Sequence, residues 1–327
     1  MNSTFASATP PVVELTQRGN SLTWISDEKL ALASPIVCYW TVSAMFFIID
    51  QADLFAQYRI HTPEEVQKRN KCTSREVITE VFKQHVLQTM FGSTLNYFES
   101  VEMVGYEAHD MWKLSQKYPF LSSYNIWALY YLVIPAARIT FAFFLMDTWQ
   151  YFLHRYMHVN KALYKRFHSR HHRLYVPYAF GALYNSLAEG FALDTSGAGL
   201  SYSVTGLSIR ESIVFYTFST LKTVDDHCGY ASPWDPFQII FPNNSLYHDI
   251  HHQSFGIKTN YSQPFFTIWD KLLNTRYHDI DGYVAKQKSS RLKHLAEAKQ
   301  NDKNAVSSFL DSATLNDQES KDTKKTM

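Results

Sequence analysis

Eight of the 14 histidines in this 327-residue chain fall into short clusters whose spacing suits metal ligation. His154-Arg155-Tyr156-Met157-His158 is an HxxxH pair. On a helix its two imidazoles sit one turn apart on one face, within reach of one ion. His168-Ser169-Arg170-His171-His172 and His248-Asp249-Ile250-His251-His252 both read HxxHH. An HxxxH pair alone is a weak signal, but at this histidine frequency one HxxHH is expected by chance only about 0.03 times per chain. Two of them argue for selection on chemistry. On a helix, positions i, i+3 and i+4 share a face, so each box is expected to converge on one cavity. A lone histidine beside a glycine turn, His227, lies between the boxes and would complete a set of nine. That number exceeds what one four- to six-coordinate ion can use, so two metals are implied. Imidazole suits iron, zinc, copper and nickel alike, so the ligand type does not name the ions.

Carboxylates near the boxes are candidates to orient the ligands. Asp147, Tyr151, His154 and His158 follow the spacing i, i+4, i+7, i+11, which puts Asp147 on the ligand face. There it could accept an imidazole N–H and fix the tautomer. Asn185, Glu189 and Asp249 are expected to serve in the same way.

The elements that must carry these residues read as helices. Leu30 to Ile49 holds twenty residues without a formal charge, the length a membrane-spanning helix needs. Val86 to Phe98 is too short to span alone and suggests an interfacial or re-entrant segment. Tyr118 to Met146 is apolar and aromatic except for Arg138, and leads directly into the first box. Val176 to Leu221 reads as two helices joined by a Gly/Ser turn. From Val284 onward nine Lys/Arg stand against six Asp/Glu with few large apolar residues. That composition predicts a disordered tail, apart from a short helix near Arg291 to Lys299. The expected fold is therefore all-α: an integral membrane helical bundle carrying a histidine-rich cap. Its divisions are an N-terminal region at 1–117, a catalytic domain at 118–283 and a charged tail at 284–327.

Net charge is +1, which gives no electrostatic basis for nucleic-acid binding. Cys38, Cys72 and Cys228 lie far apart with no CxxC spacing, so neither a disulfide framework nor a cysteine zinc site is expected. The first thirty residues lack the pattern of a cleaved leader. Lys161, Lys165, Arg166, Arg170 and Arg173 crowd the first two boxes, which places the cap on the cytosolic side by the positive-inside tendency. The same charges could meet anionic membrane lipids or an acidic redox partner. The chain ends Lys324-Lys325-Thr326-Met327, similar to a di-lysine retrieval signal of the endoplasmic reticulum.

Taken together, HxxxH, HxxHH and HxxHH resemble the fatty acid hydroxylase superfamily over roughly residues 147–275. The phrases FHSRHHRLYVPYAFGALYN, KTVDDHCGY, NNSLYHDIHHQ and GIKTNYSQPFFTIWD are similar to the sphinganine 4-hydroxylases of fungi and plants. The resemblance implies dioxygen-dependent hydroxylation at carbon 4 of sphinganine or dihydroceramide in the endoplasmic reticulum membrane. Two irons are the expected metals, with zinc an alternative occupant of purified protein. The chain has no GxGxxG, CxxCH or HPGG segment, so electrons should arrive in trans. The resemblance implies cytochrome b5 and its NAD(P)H-dependent reductase as the source. One departure stands out: the relatives' Asn-His-Pro-x-Glu reads Asn185-Ser186-Leu187-Ala188-Glu189 here. The missing histidine belongs to none of the boxes, so the change bears on substrate positioning or rate rather than on the metals. Competing readings are a desaturase or sterol oxidase on the same boxes, a membrane metal transporter, and a non-catalytic relative.

Overall fold

A computed structural model describes residues 9–325, with side chains for 9–305. Residues 1–8 and the last two residues of the terminal Lys-Lys-Thr-Met motif fall outside those limits. The described chain is mostly helical, and its strands are the two-residue pair Thr16–Gln17 and Met103–Val104, antiparallel to each other.

Two helices are long and apolar enough to cross a membrane, and they mark the chain as a membrane protein. Asp27–Gln51 has a mean hydropathy of 1.8. The Ser26 side chain accepts the Lys29 N–H at its start, and Asp27 and Glu28 in the first turn complement the helix dipole. Ser123–Val159 has a mean hydropathy of 1.7 and is continuous through a π-turn at Leu129–Val133. Pro135 offers no N–H to the Tyr131 carbonyl one turn earlier, and the helix widens there. Only 11% of each apolar window is buried against protein, so most of both helices is left facing outward. Arg138, the one charge in the second apolar run, pairs with Glu211 at 2.7 Å.

The short apolar run Val86 to Phe98 turns out to be the second half of a 25-residue helix, Ser74–Phe98. Backbone hydrogen bonding continues through the charged first half, which hydropathy alone does not register. Val176 to Leu221 does contain two helices, Ser196–Thr205 and Ile209–Asp226, separated at Gly206 with φ 62°. Ser208 and Glu211 form a capping box that starts the second. Ile209–Asp226 packs along Asp27–Gln51, and Ser196–Thr205 along Ile134–Val159. Between them lie two apolar cores, one around Tyr39, Val77, Tyr184 and Val224, the other around Ala142, Met146 and Phe215.

The disordered tail expected from composition is corrected: Ile280–Lys325 is one helix. Beyond Gly282 it contains neither Gly nor Pro and is rich in Ala, Lys, Gln and Leu, so helix propensity is high although little apolar surface is available.

Candidate metal centre

All nine histidines meet on one side of this bundle. His154 and His158 occupy the last turns of Ile134–Val159, where the long apolar helix ends. His227 follows the last residue of Ile209–Asp226. His248, His251 and His252 lie on the short helix Ser245–His252, which starts where the Asn244 side chain accepts the Tyr247 N–H at 3.0 Å. His168–Arg173 is a 3-10 helix, so the first HxxHH departs from the expected α geometry.

The nine form two buried groups: His154, His158, His168, His172 and His251, and then His171, His227, His248 and His252. Within each group the potential ligand atoms lie within 4.8 Å of one another. The expectation that each HxxHH converges on one cavity is therefore corrected. Neighbouring side chains leave a helix about 100° apart, so His171 and His172 are sent to different groups, and His251 and His252 likewise. Each HxxHH serves both groups, and the HxxxH pair serves the first alone.

In the first group the Nε2 atom of His168 lies 2.7 Å from that of His158 and 3.0 Å from those of His154 and His172. In the second, His248 Nε2 is 3.0 Å from the Nε2 atoms of both His227 and His252. The other ring nitrogen is mostly committed to the backbone. His154, His251 and His252 donate Nδ1–H to the carbonyls of Tyr261 (2.8 Å), Thr259 (2.7 Å) and Leu174 (2.7 Å), and His227 to that of Thr223 (2.9 Å). These bonds fix the proton on Nδ1 and leave Nε2 a bare acceptor. The Nε2 atoms of His154 and His168, 3.0 Å apart with both Nδ1 atoms committed elsewhere, are two acceptors that cannot hydrogen-bond to each other, and His251 Nε2 is buried with no partner. A cation between the facing lone pairs satisfies them. At an Nε2–metal distance of about 2.1 Å, a 3.0 Å separation subtends roughly 90° at the ion, the angle between neighbouring ligands of a five- or six-coordinate centre. Burial pushes the His171 imidazole down to about 4 and that of His251 to about 3, so both are neutral ligands at physiological pH.

The carboxylates divide differently. Glu189, fully buried, accepts the Nδ1–H of His168 and so orients one ligand from behind. Asn185 lines the cavity beside His168, His171 and Glu189. Asp147 was expected to hold a histidine, yet it accepts the backbone N–H groups of Phe265 (3.3 Å) and Phe266. It anchors the loop that carries Tyr261, whose ring packs 5.2 Å from that of His158. Asp249 is likewise turned away. As the neighbour of His248 it leaves the helix on another side, where it takes His61 Nε2 at 3.0 Å and the Tyr283 hydroxyl. Burial works against a charge on His61, but the Asp249 and Glu65 carboxylates outweigh it and raise the ring to about 9. The ion pair ties the third box to the segment before Pro63–Arg69, and the Tyr283 hydroxyl ties it to the Ile280–Lys325 helix.

Spacing gave no signal for two other organisers. Asp270 receives the N–H groups of Tyr261 (3.0 Å) and Ser262 (2.8 Å) and the Tyr247 hydroxyl (2.9 Å). Lys222 is fully buried against Asp226. In the departure segment, Ser186 accepts the Glu189 N–H at 3.3 Å and begins the turn Leu187–Gly190. Leu187 is its first residue, a position where proline is well accommodated. Ser186 thus caps the turn that presents Glu189 to His168.

Residues 139–275 match the fatty acid hydroxylase family model. The chain is 51% identical to the sphingolipid C4-hydroxylase of Saccharomyces cerevisiae, over 86% of this chain and 81% of that protein. It is 43% identical to sphinganine C4-monooxygenase 1 of Arabidopsis thaliana, over 77% and 88% of the two chains. A rice protein named very-long-chain aldehyde decarbonylase is 40% identical over 77% of this chain and 90% of its own. No solved structure matches. With both HxxHH boxes and the HxxxH pair inside the matched segment, and relatives this similar over most of their length, the chain belongs to the fatty acid hydroxylase family.

Proposed function

We propose that this protein is a membrane-bound oxygenase that hydroxylates carbon 4 of sphinganine or dihydroceramide. The observation that carries the reading is the pair of buried imidazole groups whose bare Nε2 atoms face one another. The first metal would be held by His154, His158, His168, His172 and His251, and the second by His171, His227, His248 and His252. Two bound irons would supply the dioxygen chemistry that an unactivated C–H bond requires. The protein's own part is to hold nine neutral imidazoles in place, to exclude water from the cavity beside them, and to present one carbon of a long chain. An apolar groove suits the last task. It runs between Asp27–Gln51 and Ser74–Phe98, is lined by Leu32, Ile36, Phe91, Leu95 and Met146, and meets the histidine cavity at Asp194 and Thr223. A straight alkyl chain lying there would bring its polar end to the metals.

Long-chain-base profiling by mass spectrometry tests this. Cells given the protein in place of their own 4-hydroxylase should regain a base carrying one added oxygen. Recovery only of a species short of two hydrogens would favour a desaturase, and recovery of a chain-shortened hydrocarbon would favour the aldehyde chemistry named for the rice relative.

The location that fits this activity is the endoplasmic reticulum membrane, with the boxes and C-terminus in the cytosol, where cytochrome b5 and its reductase could deliver electrons. Lys161, Lys165, Arg166 and Arg170, all just beyond the Ser123–Val159 helix, support that orientation. The natural sequons at Asn243 and Asn260 are poor reporters, because both side chains are fully buried and hydrogen-bonded. The substitution Lys288→Asn creates an exposed sequon with Ser289 and Ser290 on the last helix. The variant should stay unglycosylated in intact cells. An endoglycosidase-sensitive increase in mass would reverse the proposed orientation.

A further inference from the structure

Where the apolar groove meets the histidine cavity, the wall common to both includes a partly buried carboxylate, Asp194. It lies in a π-turn, Phe191–Thr195, inside an otherwise α-helical segment, a distortion that often marks functional positions. Its two oxygens accept the side-chain amides of Gln84 (3.0 Å) and Gln150 (3.1 Å), which come from two different helices. Neither donor is charged, and among the described residues no ion pair reaches Asp194. Gly190 keeps this arrangement open: a Cβ there would fall 2.2 Å from Gln84 Oε1. Two amide donors fill about half of a carboxylate's acceptor positions. Nearby, the Thr195 and Ser219 hydroxyls, which also line the groove, are buried without partners. A largely desolvated carboxylate without a cation is costly to keep charged, and one kept beside the reacting position points to a ligand that donates to it.

We propose that Asp194 binds the polar end of the substrate, accepting a hydrogen bond from a donor group adjacent to the carbon that is hydroxylated. This rests on the sphingoid reading above. A sphingoid base is asymmetric about carbon 4, with plain alkyl on one side and a hydroxyl followed by an amine on the other. The groove takes the alkyl side, and Asp194 takes a donor from the other. Asp194 thereby selects a sphingoid base over a simple acyl chain of equal length.

The test compares Asp194→Asn with the native protein in membranes, using sphinganine, 3-deoxysphinganine and N-acetylsphinganine. A charge-assisted hydrogen bond is lost, so KM for sphinganine should rise about tenfold or more. Metal content should not change. If the hydroxyl is the donor, the 3-deoxy compound should show no difference between native and variant; if it is the ammonium, the N-acetyl compound, which keeps an uncharged amide N–H, should show a clearly smaller difference than sphinganine. An equal penalty on all three substrates, no penalty on sphinganine, or loss of metal would overturn the assignment while leaving the hydroxylase reading intact. Absence of 4-hydroxylated product from the native protein with every substrate would overturn both. If Asp194→Asn does not accumulate, Gln84→Leu frees one side of the carboxylate and should give the same substrate pattern with a smaller rise in KM.

Discussion

Single replacement of His168, His172 or His251 by Ala is expected to take 4-hydroxylated base below detection and to lower bound metal from two ions per chain towards one, with the protein still present in the membrane. Each of these rings belongs to the group whose Nε2 atoms converge with those of His154 and His158. Removing one leaves the others facing a gap that water fills poorly, because the rings around it are buried. His248→Ala and His252→Ala should act on the other ion. Metal analysis of purified protein beside product analysis separates a lost ligand from general misfolding, since misfolding would empty both sites. Three or more of the nine alanine variants retaining two metals and full activity would sink the two-metal assignment.

Glu189→Ala should weaken metal binding and turnover by about 10–100-fold without touching a ligand. Glu189 accepts the His168 Nδ1–H, and without it the ring loses the partner that sets its tautomer and tilt. Glu189→Gln keeps an acceptor oxygen at that position, and its loss should be clearly smaller. Equal losses in the two variants would mean that Glu189 acts through its charge rather than by orienting His168. The comparison is read most cleanly as metal affinity by chelator competition, which does not depend on electron supply.

How much of this was legible beforehand differs by residue. The spacing of the three boxes brought eight histidines into view, and the structure gathers those eight and His227 into two groups. The division between groups was not legible, because a one-face reading of HxxHH overlooks the angle between adjacent residues. Glu189 was named as a candidate, but its partner His168 lies 21 positions away and only the fold joins them. Asp147 and Asp249 failed as partners of the clustered histidines for a shared reason. Helical position fixes which way a side chain points but not what the remainder of the chain places there, which was the Phe265–Phe266 backbone in one case and His61 with Tyr283 in the other. Both long apolar helices were visible as long runs with at most one formal charge. The helical tail was missed because composition was weighed for its capacity to bury surface and not for its backbone propensity.

The adjacency of His171 to His172 and of His251 to His252 has a consequence for assembly. Each dyad reaches both groups, so an ion binding in one group fixes the backbone that presents a ligand to the other. Ordering His172 and His251 for the first ion also orders His171 and His252 for the second, and the conformational entropy of placing those segments is lost once and not twice. If two ions bind as proposed, filling the sites should be cooperative, with singly loaded chains scarce beside empty and doubly loaded ones at intermediate metal supply.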